Sequence, residues 1–101
     1  LDRCFTSNEQ NYAPPSVLKS QGYYAKRWAA KEAFVKAIGT GFIDAIKLTE
    51  IEIYSDSLGK PMIKVSGATN EKLFQVHQNA SIHLSLSDSI NLATAIVIIE
   101  G

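Results

Sequence analysis

One stretch does most to limit what this chain can become. Residues 23–38 carry Ala30, Ala33, Phe34, Ala37 and Ile38 at the i, i+3, i+4, i+7, i+8 spacing of an amphipathic helix. Gly39 stands just past the last apolar residue, where a helix C-cap is expected, and Gly39-Thr40-Gly41 follows as a tight loop. Strand patterns come after it. Residues 48–55 (LTEIEIYS) alternate apolar and polar, 56–61 (DSLGKP) have turn composition, and 62–65 return as the partner strand. Residues 69–76 read as a second helix, capped by Thr69 or Asn70. In 82–87 the side chains of Ile82, Leu84 and Leu86 point one way, and those of His83, Ser85 and Ser87 the other. A turn begins at Asp88-Ser89, and 92–99 read as a buried strand. Ahead of the long helix, Thr6 or Ser7 can cap a short helix, with Glu9 three residues after Thr6 as in a capping box. Ala13-Pro14-Pro15-Ser16 ends that helix; a further short one is expected over 16–19, with a break at Gly22.

A chain of 101 residues with 46% hydrophobic content fits one domain with a modest core. A domain this small is marginally stable alone, so oligomerisation would help it. The net charge is zero, which gives no support for binding nucleic acid. The charge is nevertheless uneven. Residues 1–36 hold six basic side chains (Arg3, Lys19, Lys26, Arg27, Lys31, Lys36) against three acids (Asp2, Glu9, Glu32), a balance that suits an acidic or phosphorylated partner. Cys4 is the only cysteine, so no intrachain disulfide forms, which fits a reducing, cytoplasmic setting. No apolar run approaches the ~18 residues of a membrane span, and no signal peptide is visible. Leu1-Asp2 does not read as a natural beginning, and further N-terminal sequence is expected.

The long helix carries its chemistry away from the apolar stripe. At about 100° per residue, Ala25, Ala29, Glu32 and Lys36 share one narrow sector, roughly opposite Ala30, Phe34 and Ile38. Two alanines leave a recess, with a carboxylate and an ammonium at its end. A carboxylate suits a hard cation such as Mg²⁺, and a neighbouring lysine can neutralise phosphate oxygens. Phosphoryl chemistry needs that combination. Taken alone, a Glu-x-x-x-Lys pair is a solvated helix pair. Arg27 and Lys31 read first as solvated charges and Trp28 as a packing residue. Gly39-Thr40-Gly41 ends a helix instead of starting one, so it is not a Walker loop. His83 stands beside Ser85 and Ser87 on a polar strand face and can donate to phosphate. No Cys/His cluster supports zinc, and Ser85 lacks the G-x-S-x-G setting of a hydrolase.

Together these elements are distinctive. W-A-A-K-E-A-F-V-K at residues 28–36 resembles the W/F-x-x-K-E-A-x-x-K signature of phosphopantetheinyl transferases. Gly39-Thr40-Gly41, Gly59-Lys60-Pro61 in a turn, His83 to Asp88 as H-x-S-x-S/T-H/D, and the closing Ala93, Ala95, Val97, Ile98 pattern resemble the short, acyl-carrier-protein-synthase branch. The resemblance covers nearly the whole chain. It implies a single transferase domain over residues 1–101 with an α+β fold, an antiparallel sheet with the long signature helix packed on it. It further implies a homotrimer with active sites between protomers, serving lipid metabolism in fatty acid biosynthesis.

The implied reaction moves 4'-phosphopantetheine from coenzyme A to a serine of apo-acyl-carrier protein. Glu32 is implied as the Mg²⁺ ligand and Lys36 as a phosphate contact that assists the leaving group. Arg27, His83 and Ser85 are implied contacts to coenzyme A phosphates, and Gly39, Thr40, Gly41 and Pro61 shape the nucleotide pocket. Glu32 and a held water are both candidates for the general base. One family feature has no match: the I-G-x-D strand whose aspartate is a second metal ligand, and the helix after it, both expected to precede Leu1. The alternative is a coenzyme A-binding or structural homologue without transfer activity.

Overall fold

In the computed structural model, which describes residues 3–39, 46–88 and 92–100, the chain opens with a short helix α1 (Ser7–Asn11). The expected capping box forms: Glu9 N donates to Thr6 Oγ1 at 3.0 Å, and Thr6 N donates to Glu9 Oε1 at 2.8 Å. Helix α2 (Val17–Ile38) begins after Pro15 at an Ser16 cap and ends at Gly39, whose φ of 90° is the left-handed C-cap conformation. The separate helix over 16–19 and the break at Gly22 do not occur; one helix of 22 residues runs through both. A mid-helix glycine costs only about 1 kcal/mol relative to alanine. Packing along α2 outweighs that. At ~1.5 Å per residue α2 is about 33 Å long.

A 3-10 turn (Leu48–Glu50) takes the place of the first part of the strand expected over 48–55. Strand β1 (Ile51–Ser55) then pairs antiparallel with β2 (Pro61–Val65), in register from Ile51↔Val65 to Ser55↔Pro61. The turn between them is held by Asp56, whose Oδ1 accepts from Leu58 N and Lys60 N, both at 2.9 Å.

Helix α3 (Gly67–Val76) starts two residues earlier than the sequence suggests, because its cap is remote. Ser66 makes no side-chain cap bond. Instead Glu50 Oε1 accepts from Thr69 N at 3.2 Å and from Thr69 Oγ1 at 2.8 Å. Gly67, at φ 60°, is where the chain passes this carboxylate; a Cβ there would lie 1.7 Å from Glu50 Oε2. The hydrogen bonds from Thr69 hold the Glu50 carboxyl below the ordinary glutamate range. A lowered folded-state value means a contribution that is complete above that range and lost as pH falls through the lowered value. The Tm gap between wild type and Glu50→Gln should therefore close on acidification from about pH 6 to about pH 3. A gap constant across that range would contradict the capping role.

Strands β3 (Ser81–Asp88) and β4 (Ala93–Glu100) form a second antiparallel hairpin, from Ser81↔Glu100 to Asp88↔Ala93. β2 runs beside β3 without ladder bonds between them. Helix α2 packs mainly on β4 and β3. Its Ala30, Phe34, Val35 and Ile38 meet Ile46, Ile51, Ile53 and Leu73, with Ile82, Leu84, Leu86, Ala95, Val97 and Ile99 packed alongside. The result is the expected α+β arrangement, with its strands in two hairpins. The strand expected to be buried over 92–99 is covered on one face only. Ala95, Val97 and Ile99 turn inward, whereas Ile96 and Ile98 stay 62% and 52% exposed because no described helix covers the outer face.

Candidate functional site

Glu32 is half-buried and Lys36 exposed on the side of α2 away from its core contacts. Among the described residues neither side chain makes a hydrogen bond or ion pair, so the two do not form the solvated pair their spacing allows. A carboxylate left unpaired beside an ammonium, one helical turn apart, is available to a ligand carrying both a cation and phosphate. Among the described residues no three His, Cys, Asp or Glu side chains gather as a metal cage. A single carboxylate fits a hard cation such as Mg²⁺, which keeps several waters and is bound through one or two carboxylates plus substrate phosphates. Gly39 stands where this helix ends, its N–H donating to Lys36 O at 3.1 Å. Thr40 and Gly41 lie outside the described residues.

Arg27 is not on this face. At about 100° per residue it stands roughly 140° around the helix from Glu32 and 180° from Lys36. Expected as a solvated charge, it is only 9% exposed. Its guanidinium carbon lies 3.5 Å from the centre of the Tyr23 ring, a close cation–π contact. Nη1 donates to Tyr23 O at 3.4 Å, and Nε is buried without a hydrogen bond among the described residues. Arg27 lines a cleft of about 470 Å³ with Tyr12, Tyr23, Glu52, Tyr54 and Ser55. Pro61 is the ladder partner of Ser55 and so stands next to one wall of that cleft. Burial pushes the Tyr23 phenol above its ordinary value.

His83 and Ser85 occupy a third surface, the exposed outer face of β3, opposite the face that Ile82, Leu84 and Leu86 turn toward α2. They stand across from Ile98 and Ile96 in the ladder. His83 Nε2 lies 3.2 Å from Glu100 Oε1, and both side chains are largely exposed. Within one copy of the chain, then, the outer face of α2, the Arg27 cleft and the outer face of β3 are separate surfaces.

Glu9 and Lys31 form a buried pair, and the sequence gives no local signal for this pairing. Lys31, expected as a surface charge, has no exposed side-chain area, nor has Glu9. Lys31 Nζ donates to Cys4 O at 2.6 Å, Glu9 Oε1 at 2.8 Å and Leu48 O at 2.8 Å, which uses all three ammonium protons. Glu9 Oε2 accepts from Ile53 N at 2.9 Å. Desolvation pulls the Lys31 ammonium below its ordinary range, against the opposing effect of its hydrogen bond to the Glu9 carboxylate. Two of the six basic residues of the first third are therefore internal, and Lys26 lies 3.8 Å from Asp88, which leaves Arg3, Lys19 and Lys36 exposed. The basic surface is smaller than the sequence suggests. Trp28, expected in packing, is 39% exposed.

This combination of elements is that of phosphopantetheinyl transferases. The model of the 4'-phosphopantetheinyl transferase superfamily matches residues 1–95, and the chain belongs to that family. Its relatives put it in the holo-[acyl-carrier-protein] synthase branch. It is 48% identical over 101 residues to a holo-[acyl-carrier-protein] synthase of Trichlorobacter lovleyi, covering 100% of this chain and 79% of the relative. The crystal structure of holo-[acyl-carrier-protein] synthase from Neisseria meningitidis superposes with a TM-score of 0.84 at 39% identity, covering 98% of this chain and 78% of that one. A synthase–coenzyme A complex from Chronobacterium ammoniagenes superposes with a TM-score of 0.87 at 28% identity, over 99% of this chain and 79% of that one. No described helix is long and apolar enough to cross a membrane.

Proposed function

We propose that the protein transfers 4'-phosphopantetheine from coenzyme A to a serine hydroxyl of an apo-acyl-carrier protein, in a Mg²⁺-dependent reaction that serves fatty acid biosynthesis in the cytoplasm. The observation that carries this reading is the unpaired Glu32 carboxylate one turn from the unpaired Lys36 ammonium, inside the signature of a family whose members include a coenzyme A complex.

In the reaction the serine oxygen attacks the β-phosphorus of coenzyme A. The bond from that phosphorus to the bridging oxygen breaks, and adenosine 3',5'-bisphosphate leaves. Mg²⁺, when bound, supplies charge neutralisation on the pyrophosphate. Glu32 would hold the Mg²⁺ beside the substrate phosphates, as a carboxylate suits a hard cation. Lys36 meets the phosphate oxygens as a point charge and stabilises the leaving group. Arg27 presents a guanidinium, His83 a ring N–H and Ser85 a hydroxyl to the coenzyme A phosphates. The Gly39 backbone and Pro61 border the nucleotide. Glu32, or a water held nearby, takes the serine proton. Release of adenosine 3',5'-bisphosphate, followed by chromatography, should require both apo-carrier protein and Mg²⁺; no release with all components present would overturn the reading.

One copy of the chain does not bring these groups together, since Glu32 with Lys36 and His83 with Ser85 lie on opposite sides of the helix-on-strand layer. A homotrimer, in which the outer β3–β4 face of one copy meets α2 of the next, joins these two surfaces and covers Ile96 and Ile98, while Arg27 stays in its own cleft. Ile98→Asp should accordingly shift the protein toward monomer in sedimentation experiments and abolish transfer. A monomeric wild type, or a monomeric variant with full activity, would contradict this arrangement.

A further inference from the structure

The buried Glu9–Lys31 pair continues into the Arg27 cleft. Glu9 is held at both carboxylate oxygens, by Thr6 N and Lys31 Nζ on Oε1 and by Ile53 N on Oε2. Its backbone carbonyl is therefore a fixed point, and it accepts the Tyr23 hydroxyl at 2.5 Å. Tyr23 in turn carries the Arg27 guanidinium, 3.5 Å above its ring, and accepts Arg27 Nη1 on its carbonyl. Arginine has several rotatable bonds and loses much of its freedom only if something holds it. Here the ring below it is pinned at its far end to a buried, fully bonded carboxylate residue.

The geometry points to Tyr23 as a positioning residue: its hydroxyl, anchored on Glu9, sets the ring that aims Arg27 into the cleft. This rests on the reading of Arg27 as a coenzyme A phosphate contact. Tyr23 itself needs no contact with substrate. Its effect passes through Arg27 and appears in coenzyme A affinity, not in the chemical step. Neighbouring Tyr24 supplies the control. It packs against Phe5 at 4.8 Å and edge-on to Tyr23 at 5.2 Å, and its hydroxyl has no partner among the described residues.

The test is a double-mutant cycle read by calorimetric titration with coenzyme A and Mg²⁺, with Tm and steady-state kinetics on each variant. Tyr23→Phe should weaken coenzyme A binding about threefold to tenfold, the range set by one neutral hydrogen bond. KM for coenzyme A should rise while kcat stays within about twofold, and Tyr24→Phe should leave both unchanged. Arg27→Lys should weaken binding too, because lysine lacks the planar fork that stacks on the ring. In that background Tyr23→Phe should add nothing, since the group it aims is gone. A purely structural Tyr23 would lower Tm without moving affinity, or would act equally in both backgrounds, and either result overturns the inference while leaving Arg27 in place. Unchanged affinity in Arg27→Lys overturns both the inference and the role of Arg27 on which it rests.

Discussion

Glu32→Gln is expected to lower phosphopantetheine transfer by about a hundredfold or more while the fold stays intact. A metal's charge stabilisation of a phosphoryl transition state is worth several kcal/mol, and each ~1.4 kcal/mol is a factor of ten. Glutamine keeps the shape of the side chain but not its negative charge, so a cation bound through Glu32 would lose its ligand. The fold should not notice. Glu32 is half-buried, bonds to nothing among the described residues, and lies outside the core stripe of α2. The check is transfer rate against Mg²⁺ concentration, together with a thermal melt. Wild-type transfer at low Mg²⁺ would remove Glu32 from the metal site; a collapsed Tm would give it a structural role instead.

The largest effect on stability should come from the neighbouring residue. Lys31→Met leaves the Glu9 carboxylate with no exposed area and no counter-ion. Removing one partner of a buried pair costs about 3–5 kcal/mol. Small domains have about 5–15 kcal/mol of total stability. The variant should therefore lose a large share of its stability in urea unfolding, or fail to fold. Adding Glu9→Gln should recover a good part of the loss, because removing both charges removes the uncompensated one. Some deficit should remain, since Cys4 O and Leu48 O also lose the ammonium donor. A Lys31→Met variant within about 1 kcal/mol of wild type would show that the pair is not a structural hub.

Much of the fold could be read from periodicity. The apolar stripe of α2, its Gly39 cap, the Thr6–Glu9 capping box and the two hairpins all follow from local patterns, and local hydrogen bonds build them. What escaped depends on partners far along the chain. Glu50 caps α3 from 19 residues away, so no local signal places the start of that helix at Gly67. Lys31 finds Glu9 at a separation of 22 residues. Lysine is almost never fully buried unless paired, so the sequence alone favours a surface reading. A signal was present nonetheless. Arg27, Lys31, Phe34 and Ile38 are spaced i, i+4, i+7 and i+11, so both cations stand on the apolar stripe itself. A charge in such a row asks for a buried partner.

The site was legible in a different way. The residue types of Glu32, Lys36, His83 and Ser85, and the faces they occupy, follow from helix and strand periods. Nothing in those periods brings the two faces together, because they lie on opposite sides of one copy. Alternation along β4 also shows Ile96 and Ile98 on an uncovered face, where the sequence alone reads 92–99 as a buried strand.

The central claim is group transfer to a carrier protein, and intact-mass spectrometry of that protein tests it most directly. Apo-acyl-carrier protein incubated with this protein, coenzyme A and Mg²⁺ should gain the mass of one phosphopantetheine on a serine, and the gain should vanish with a chelator or with Glu32→Gln. A carrier protein that keeps its apo mass in the complete reaction, while the protein still binds coenzyme A, would contradict the account and leave a coenzyme A-binding homologue in its place.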